Sequence, residues 1–377
     1  MAKKRWWPGF GVLTAALVLA GGTASAATGW AVVSVPSTGN NVTLYGTSAR
    51  TGTDAWVVGA QFGTAGQPPA PPAAYHWNGT AWSLTPTPAL GVNASLSSVS
   101  ASSASDAWAV GLTRPAGYRS TAALYEHWNG SGWSVVSGPG SGLNAVVNFS
   151  GVNAVAVGTT GEVEQWNGSA WSTVSVPTPP GDINPPGNNL TSISASGPND
   201  IWAVGYYESS FTSWAAYALH YNGTSWSVMT LPSPPAGLGV TIPALHGITA
   251  IAPNNVWAVG DVEQPVGYSN GTTLIEHWDG TKWSIVPSPT GPFAVLNGVS
   301  ARASNDVVAA GWDLSSPNGG AEQSLILRWN GSKWSVDNTP TAGTSSPLYG
   351  AATLPGATNE WAVGGNSANQ ALVLAHG

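Results

Sequence analysis

The phrase Trp-Ala-Val-Gly occurs at 108–111, 202–205, 257–260 and 361–364, and variants of it stand at 56–59, 155–158 and 308–311. The glycines that end these phrases lie 47 to 55 residues apart: Gly59, Gly111, Gly158, Gly205, Gly260, Gly311 and Gly364. A repeat of this length with strand-like content is typical of propellers and solenoids. We number the repeats one to seven by these glycines.

Repeat two shows most clearly how a repeat folds. The alternating small residues at 96–101 predict a crowded innermost strand, and 107–111 predict a second strand. Segments 122–128 and 133–136 predict a third and a fourth strand, because the Asn129-Gly130 pair between two apolar runs is a strong hairpin signal. Four antiparallel strands per repeat, arranged radially, describe a propeller blade.

The two ends of the chain complete one another. Repeat seven contains three predicted strands, the last of them at 371–376, and then the chain stops. Its missing fourth strand stands at the other end, because Trp30–Pro36 matches Trp133–Pro139 in length and pattern. The sequence therefore predicts an all-β fold: a seven-bladed β-propeller of four-stranded antiparallel blades, closed by an N-terminal strand that completes the last blade.

The first 26 residues have the pattern of a secretory signal peptide. Lys3, Lys4 and Arg5 form a basic start, residues 9–20 are apolar, and Ala24–Ala26 form a cleavage site of small residues. The apolar run is too short to span a bilayer comfortably, so we expect no stable membrane insertion after cleavage. We therefore expect residues 27–377 to form a single propeller domain that is secreted into the extracellular space as a monomer.

Composition narrows the classes of function. The chain carries 10 Lys and Arg against 17 Asp and Glu, so it lacks the basic stripe that a nucleic-acid partner requires. It has no cysteine and no motif of nucleophilic, zinc-dependent or phosphate-binding catalysis. Histidines recur in the predicted third strands, but Gln165 and Arg328 occupy the same place elsewhere, which argues against metal binding. We expect no cofactor and no metal.

The phrases Asp-x-Trp-Ala-Val-Gly and His-Trp-Asn-Gly-x-x-Trp-Ser resemble the repeats of secreted actinobacterial β-propeller proteins, which are loosely similar to the kelch and galactose-oxidase propellers. The resemblance covers essentially all of residues 27–377. The chain departs from kelch repeats, because their paired glycines in the second strand are absent here. The resemblance implies a propeller fold and extracellular binding, and it implies no particular activity.

Repetition separates scaffold from candidate site. Tryptophans that recur at one position in most repeats, such as Trp108, Trp128 and Trp133, are expected to pack blade against blade. The Asp or Asn two places before each second-strand Trp or Val, such as Asp106, is expected to cap its own turn. Each set has an alternative interpretation. The tryptophans would otherwise form one sugar-binding platform per blade, and the Asp and Asn residues would otherwise bind metal or act as catalytic carboxylates.

The predicted loops between second and third strands vary freely and share one face, where function in a propeller is expected. Aromatic and charged residues that break the repeat there concentrate in repeats four to six. The candidate ligand-binding residues are Tyr206, Tyr207, Glu208, Trp214, Asp261, Glu263, Tyr268, Trp312 and Asp313.

Aromatic rings beside carboxylates and amides suit a neutral sugar, because the rings stack on apolar sugar faces while polar groups bind the hydroxyls. We therefore interpret the chain as a non-enzymatic binding protein for an extracellular glycan. Two alternatives remain: a scaffold for an extracellular protein partner, and a glycan-active hydrolase or lyase that uses two carboxylates among Glu208, Asp261, Glu263 and Asp313. If the chain binds no ligand at these positions, the aromatic residues of repeats four to six only pack the loops onto the rim of the propeller.

Overall fold

A computed structural model of the chain describes residues 29–63, 68–114, 121–183, 188–211, 213–234, 242–263, 271–290, 293–314, 320–354, 359–368 and 370–377. The predicted signal peptide and its cleavage site lie outside these ranges. No helix within them is long and apolar enough to cross a membrane. The described residues form antiparallel β-sheets, so the expectation of an all-β fold is confirmed.

A short strand, β1 (Ala31–Val32), precedes the repeats, and strands β2 to β28 follow it in chain order. Repeats one and two contain β2 (Asn41–Thr51), β3 (Asp54–Phe62), β4 (Ala73–Trp77), β5 (Trp82–Leu84), β6 (Asn93–Ser103), β7 (Asp106–Arg114), β8 (Ala122–Trp128) and β9 (Trp133–Val136). Repeats three and four contain β10 (Leu143–Ser150), β11 (Asn153–Gly158), β12 (Val163–Trp166), β13 (Trp171–Val174), β14 (Asn189–Gly197), β15 (Asp200–Ser210), β16 (Ser213–Tyr221) and β17 (Trp226–Met229). Repeats five to seven contain β18 (Ile242–Ala252), β19 (Asn255–Glu263), β20 (Thr272–Trp278), β21 (Trp283–Ile285), β22 (Ala294–Ala303), β23 (Asp306–Leu314), β24 (Glu322–Trp329), β25 (Trp334–Asp337), β26 (Leu348–Thr353), β27 (Glu360–Gly365) and β28 (Ala371–His376).

The prediction of seven separate blades is wrong. Across the described ranges the strands form five four-stranded blades and one eight-stranded sheet. Repeats three to seven each supply one blade, and we name these blades three to seven. Repeats one and two merge into the eight-stranded sheet because β3 pairs with β6, at Ala60 and Ser95. A sequence period counts repeats, but it does not reveal where backbone pairing crosses from one repeat to the next.

The N-terminal strand lies at the outer edge of blade seven. β1 pairs with β28, with Ala31 opposite Ala375 and Val32 opposite Leu374, so the two ends of the chain form one sheet. The strand order of blade seven is β1-β28-β27-β26. Because β26 is supplied by the C-terminal repeat and β1 by the N-terminus, blade seven joins the ends of the ring.

Tryptophans pack each sheet against its neighbour, as the repetition predicts. In five cases the ring of a fourth-strand tryptophan meets the second-strand tryptophan of the preceding repeat edge to face, with centroids 5.0 to 5.6 Å apart. The pairs are Trp82–Trp361, Trp133–Trp56, Trp171–Trp108, Trp283–Trp202 and Trp334–Trp257. Trp82 and Trp361 belong to the first and last repeats, so the same contact also closes the ring.

The turns between third and fourth strands lie on one face and are uniform. Their glycines have φ between +89° and +97°, which a residue with a Cβ adopts at a cost: Gly79, Gly130, Gly168, Gly223, Gly280 and Gly331. The Asx residue before each glycine accepts hydrogen bonds from the backbone of the turn, as Asn78 does from Thr80 and Ala81 at 3.0 Å. We call this side of the ring the uniform face and the opposite side the variable face.

The repeated aspartates on the uniform face bind side chains of the third strand, and the expectation that they cap their own turns stays a prediction. Asp54, Asp106 and Asp200 accept hydrogen bonds from third-strand histidines at 2.7 to 2.8 Å: His76, His127 and His220. In repeat six an arginine takes the place of the histidine, and the guanidinium of Arg328 donates to Asp306. These histidines are therefore structural hydrogen-bond donors that link the second strand to the third.

Trp30 connects the closing strand to blade six. It is 6% exposed, packs with Val308 and Ile326 of blade six, and donates from Nε1 to the Asp337 carboxylate at 3.3 Å. Arg328 strengthens the same junction, since it binds both Asp337 and the buried Glu360 of blade seven. The junction between blades six and seven therefore combines apolar burial with a network of ion pairs.

We predict that Trp30→Ala lowers the free energy of unfolding by about 3–5 kcal/mol, because it removes a large buried side chain and an inter-blade hydrogen bond. Val32→Ala is the matched control in the same strand, since Val32 is 52% exposed, and it should change stability by less than about 0.5 kcal/mol. Denaturant unfolding measures both values. Equal stability of the two variants would show that β1 is only an appended tail.

Candidate functional site

A β-bulge interrupts the innermost strand of every repeat directly after a buried leucine. The pairing register shifts there by one residue, for example between Leu44 and Gly46 in β2 and between Leu245 and Gly247 in β18. The other shifts occur at the equivalent leucines Leu96, Leu143, Leu190, Leu296 and Leu348. A bulge leaves one residue unpaired and re-aims its side chain, which is why bulges concentrate beside functional sites.

The bulged residues form a ring around the centre of the propeller. They line one cavity of about 300 Å³ together with the rest of the innermost strands, and we call this cavity the central channel. The ring consists of Tyr45, Ser97, Asn144, Thr191, His246, Asn297 and Tyr349. All of these side chains are half-buried. The residues that follow them are small, so the bulged positions supply the largest part of the chemical variety in the channel.

Three members of the ring hold neighbouring repeats together. Asn144 donates to the carbonyl of Leu190 at 2.7 Å, Thr191 donates to that of Leu245 at 2.7 Å, and Asn297 donates to that of Leu348 at 2.8 Å. Each accepting leucine begins the bulge of the next repeat. These three side chains therefore have a structural task that explains their presence without a ligand.

Tyr45, His246 and Tyr349 do not donate a hydrogen bond of this kind to the leucine carbonyl of the next repeat. The rings of Tyr45 and Tyr349 lie 5.5 Å apart across the junction of the first and last repeats. Burial raises the pKa of both phenols, so both stay protonated at neutral pH and can donate and accept hydrogen bonds. His246 bonds through Nε2 to Oδ1 of Asp261 at 2.7 Å, which leaves its other ring nitrogen for a further partner.

The structure corrects the placement of the sequence-predicted residues. Tyr206, Tyr207 and Glu208 lie within β15 and Trp214 lies within β16, so they are strand residues rather than loop residues. The same holds for Asp261 and Glu263 in β19 and for Trp312 and Asp313 in β23. The strands continue past the repeat glycine, and pairing extends to Glu208 opposite Trp214. Tyr268 lies outside the described residues.

Because successive strand residues point to opposite faces, Tyr206 and Tyr207 do not form one platform. The Tyr206 ring meets Trp214 edge to face at 5.3 Å, whereas the Tyr207 ring meets Tyr217 at 5.9 Å. The Tyr207 hydroxyl also donates to the carbonyl of Pro180 at 3.2 Å. Tyr206 and Trp214 thus form one half-buried pair, and Tyr207 belongs to a different surface.

Tyr206, Asp261 and Trp312 occupy the same place, directly after the repeat glycine, in three consecutive blades. The equivalent residues elsewhere are mostly small or aliphatic: Ala60, Leu112, Thr159 and Gly365. Asp261 reaches the channel through His246. Tyr206 is connected to it by a relay in which its hydroxyl accepts from Asn189, and Asn189 accepts from Asn144, both at 2.8 Å. The structure therefore links two predicted residues to a site that the sequence analysis missed.

Glu208, Glu263 and Asp313 are not among the residues that line the central channel. Burial raises the pKa of Asp313, which is half-buried, while Glu263 is exposed and Glu208 is half-buried. No group of three or more histidines, aspartates and glutamates is arranged to hold a metal ion within the described ranges. The ligand-binding role of these residues stays a prediction.

Buried glutamates in the third strands are a second feature that sequence reasoning missed. Glu126, Glu164 and Glu276 stand at equivalent positions, each opposite the alanine that follows a second-strand Trp or Val. Tyr125 donates its hydroxyl to Glu164. Glu126 is 0% exposed with no hydrogen-bond partner on either oxygen, and burial raises its pKa to about 8.

Comparisons with known proteins show the fold. No protein-family model and no curated protein sequence matches the chain. The solved structure of YCF48 bound to D1 peptide is similar with a TM-score of 0.59 at 16% identity, over 92% of this chain and 96% of that chain. YCF48 from Cyanidioschyzon merolae gives the same TM-score and identity over 92% and 98% of the two chains. The WD40 repeats of RRP9 give a TM-score of 0.56 at 11% identity, over 94% and 98%. The chain is a β-propeller.

We predict that Glu126→Leu stabilises the fold more at high pH than at low pH. The folded-state pKa of about 8 exceeds the ordinary value of 4.5, so the native chain retains a proton that the unfolded chain loses, and stability falls as pH rises between these values. Leucine is the residue at the equivalent positions Leu219 and Leu327. The gain should reach roughly 1–3 kcal/mol near the upper pKa and shrink near the lower one, as measured by urea unfolding across pH. A gain in unfolding free energy that does not change with pH would contradict the raised pKa of Glu126.

Proposed function

We propose that the chain is an extracellular binding protein that takes a neutral oligosaccharide at the variable-face mouth of the central channel. The observation that carries this proposal is the chemistry of the channel wall. The described residues that line it include phenols, hydroxyls, amides and one histidine, and they include no lysine, arginine, aspartate or glutamate. An uncharged wall of donors and acceptors with aromatic rings suits a polyol, because nothing in it favours a charged ligand.

The geometry of the aromatic residues supports the same ligand class. Tyr45 and Tyr349 form a tilted pair beside the channel, and Tyr206 joins the mouth through Asn189. Such rings can contact apolar sugar faces while the His246 ring nitrogen and the phenol hydroxyls bind sugar hydroxyls. Secretion belongs to the proposal through the leader pattern of residues 1–26.

A peptide or protein partner is the second candidate. One solved neighbour is YCF48 bound to D1 peptide, so a propeller of similar fold accepts a peptide. Phe211 at the tip of the β15–β16 hairpin is 98% exposed, and exposed aromatic side chains are enriched at protein interfaces. The amides and hydroxyls of the channel mouth could also bind a peptide backbone.

A glycan array probed with the mature chain tests the proposal. The protein is expressed with its leader and purified from the medium, so recovery of a chain that begins at Ala27 tests secretion in the same preparation. We expect binding to neutral glycans. Tyr349→Phe should weaken it about fivefold, because one hydrogen bond contributes about 1 kcal/mol. Tyr221→Phe, at the uniform-face end of blade four, should leave it unchanged.

The outcomes divide the candidates. If the protein binds no glycan on the array but binds members of a peptide library, the glycan proposal is contradicted and a peptide partner is favoured. Silence on both would overturn ligand binding at the channel mouth. Glycan binding that is insensitive to Tyr349→Phe would place the glycan elsewhere and would also overturn the proposed site.

A further inference from the structure

A second cavity lies between blades four and five, away from the central channel. It has a volume of about 380 Å³ and opens to solvent beside the exposed residues Pro180, Thr230 and Ser233. Its wall is apolar and aromatic, with Tyr207 and Tyr217 from blade four. The other wall residues are mainly prolines and apolar side chains: Pro179, Pro232, Pro234, Pro243, Met229 and Leu231. We call it the blade 4–5 cavity.

One acid lines this apolar cavity. Glu276 of β20 is 1% exposed and belongs to the cavity wall, and its Oε2 has no hydrogen-bond partner. Burial raises its pKa to about 8. An orphaned polar atom in a buried position costs free energy, so its presence beside a cavity calls for an explanation.

The chain contains its own comparison for this site. In the junction of repeats two and three, Tyr125 fills the space next to Glu164 and donates its hydroxyl to that carboxylate. The strand pairing shows that Ala218 of blade four is equivalent to Tyr125. Each pairs with the valine of the Trp-Ala-Val-Gly phrase in its own repeat. The strand pairing likewise makes Glu276 equivalent to Glu164. Blade four thus has a methyl group where repeat two has the phenol that satisfies the acid.

We propose that the blade 4–5 cavity binds an alkylammonium group, such as a lysine side chain, with its nitrogen on Glu276 and its alkyl chain against the rings of Tyr207 and Tyr217. The described residues of the wall include no lysine, arginine or histidine, so the cation must come from outside. A donor bearing positive charge supplies what Tyr125 supplies to Glu164, and it adds an ion pair. Aromatic faces and a buried carboxylate together favour a cation over a neutral group.

The protonation of Glu276 gives this site a recognisable signature. At neutral pH the free acid is mainly protonated, so binding of a cation releases that proton to solvent. Affinity should therefore rise with pH until the acid is ionised in the free protein, while an alkylamine keeps its charge to about pH 10. The other titratable groups in the wall are Tyr207 and Tyr217. Burial raises the pKa of Tyr217, and the negative charge of Asp182 raises it further, so this phenol stays neutral in the same range.

Isothermal titration of the mature chain with Nα-acetyl-lysine-N-methylamide tests the proposal. We expect binding at least about tenfold tighter near pH 8 than near pH 6, with release of about one proton at neutral pH. The Nε-acetylated ligand, which is neutral, should not bind. Glu276→Gln should weaken binding at least tenfold and abolish proton release. Glu126→Gln, at the same strand position in repeat two, is the matched control and should bind as the wild type does.

A filling variant gives an independent test. Ala218→Tyr places a phenol where Tyr125 stands in repeat two, and the folded variant should lose ligand binding while glycan binding at the channel is retained. If this variant does not fold, Glu276→Gln decides the question. Absence of binding to the wild type, binding that does not depend on pH, or unchanged affinity of Glu276→Gln would each overturn the proposal. None of these results bears on the proposed glycan site.

Discussion

A backbone carbonyl lies where a Cβ would be if the last residue of each Trp-Ala-Val-Gly phrase were not glycine. An added Cβ at Gly205 would overlap the carbonyl oxygen of Asn189, and every other repeat has the same contact. The carbonyls belong to the residue before each bulge-forming leucine: Thr43, Ser95, Gly142, Asn189, Ala244, Val295 and Pro347. The close approach of these two strands permits the bulge, and the bulge creates the ring of side chains that faces the channel. The glycine therefore connects the repeat pattern to the candidate site.

Two layers of contacts hold neighbouring repeats together. At the centre, serines of one innermost strand accept hydrogen bonds from backbone N–H groups of the next, as Ser100 does from Asn148 and Ser194 does from Ala250, both at 3.0 Å. Farther out, edge-to-face tryptophan pairs supply the burial. Because the first and last repeats also pack against each other, each repeat contacts a neighbour on both sides. The residues that recur in most repeats make these contacts between repeats. The residues that depart from the repeat pattern are therefore the ones available for binding a ligand.

The sequence predicts much of the fold, because strands, Asn-Gly turns and tryptophan packing are local or periodic features. Strands β8 and β9 agree with their predicted bounds, and the pairing of β1 with β28 follows from the match between the two ends. Two predictions failed for physical reasons. Repeats one and two merge through a single backbone pairing at Ala60. In repeats four to six the second strand continues past the repeat glycine, which marks a close approach between strands rather than a strand end.

The candidate site was predicted only in part. Asp261 and Tyr206 reach the channel, but His246, Tyr45 and Tyr349 went unnoticed because a bulge adds one residue without disturbing the visible alternation of small side chains. The signal was present: the residue after each innermost-strand leucine varies, while the residue that follows it is always small. Glu276 was missed for another reason. Whether its carboxylate has a hydrogen-bond donor depends on Ala218 of blade four, and the repeat pattern of blade five alone does not contain that information.

The dependence of the fold on the repeat glycine is tested most directly by comparing Gly205→Ala with Gly197→Ala in urea unfolding. An added Cβ at Gly197 meets nothing within 4 Å, so this variant should be nearly neutral. Gly205→Ala should lose about 3 kcal/mol, at the upper end of what overpacking costs, because the backbone of Asn189 must move and the bulge with it. Equal stability of the two variants would contradict the account that this glycine fixes the architecture of the channel.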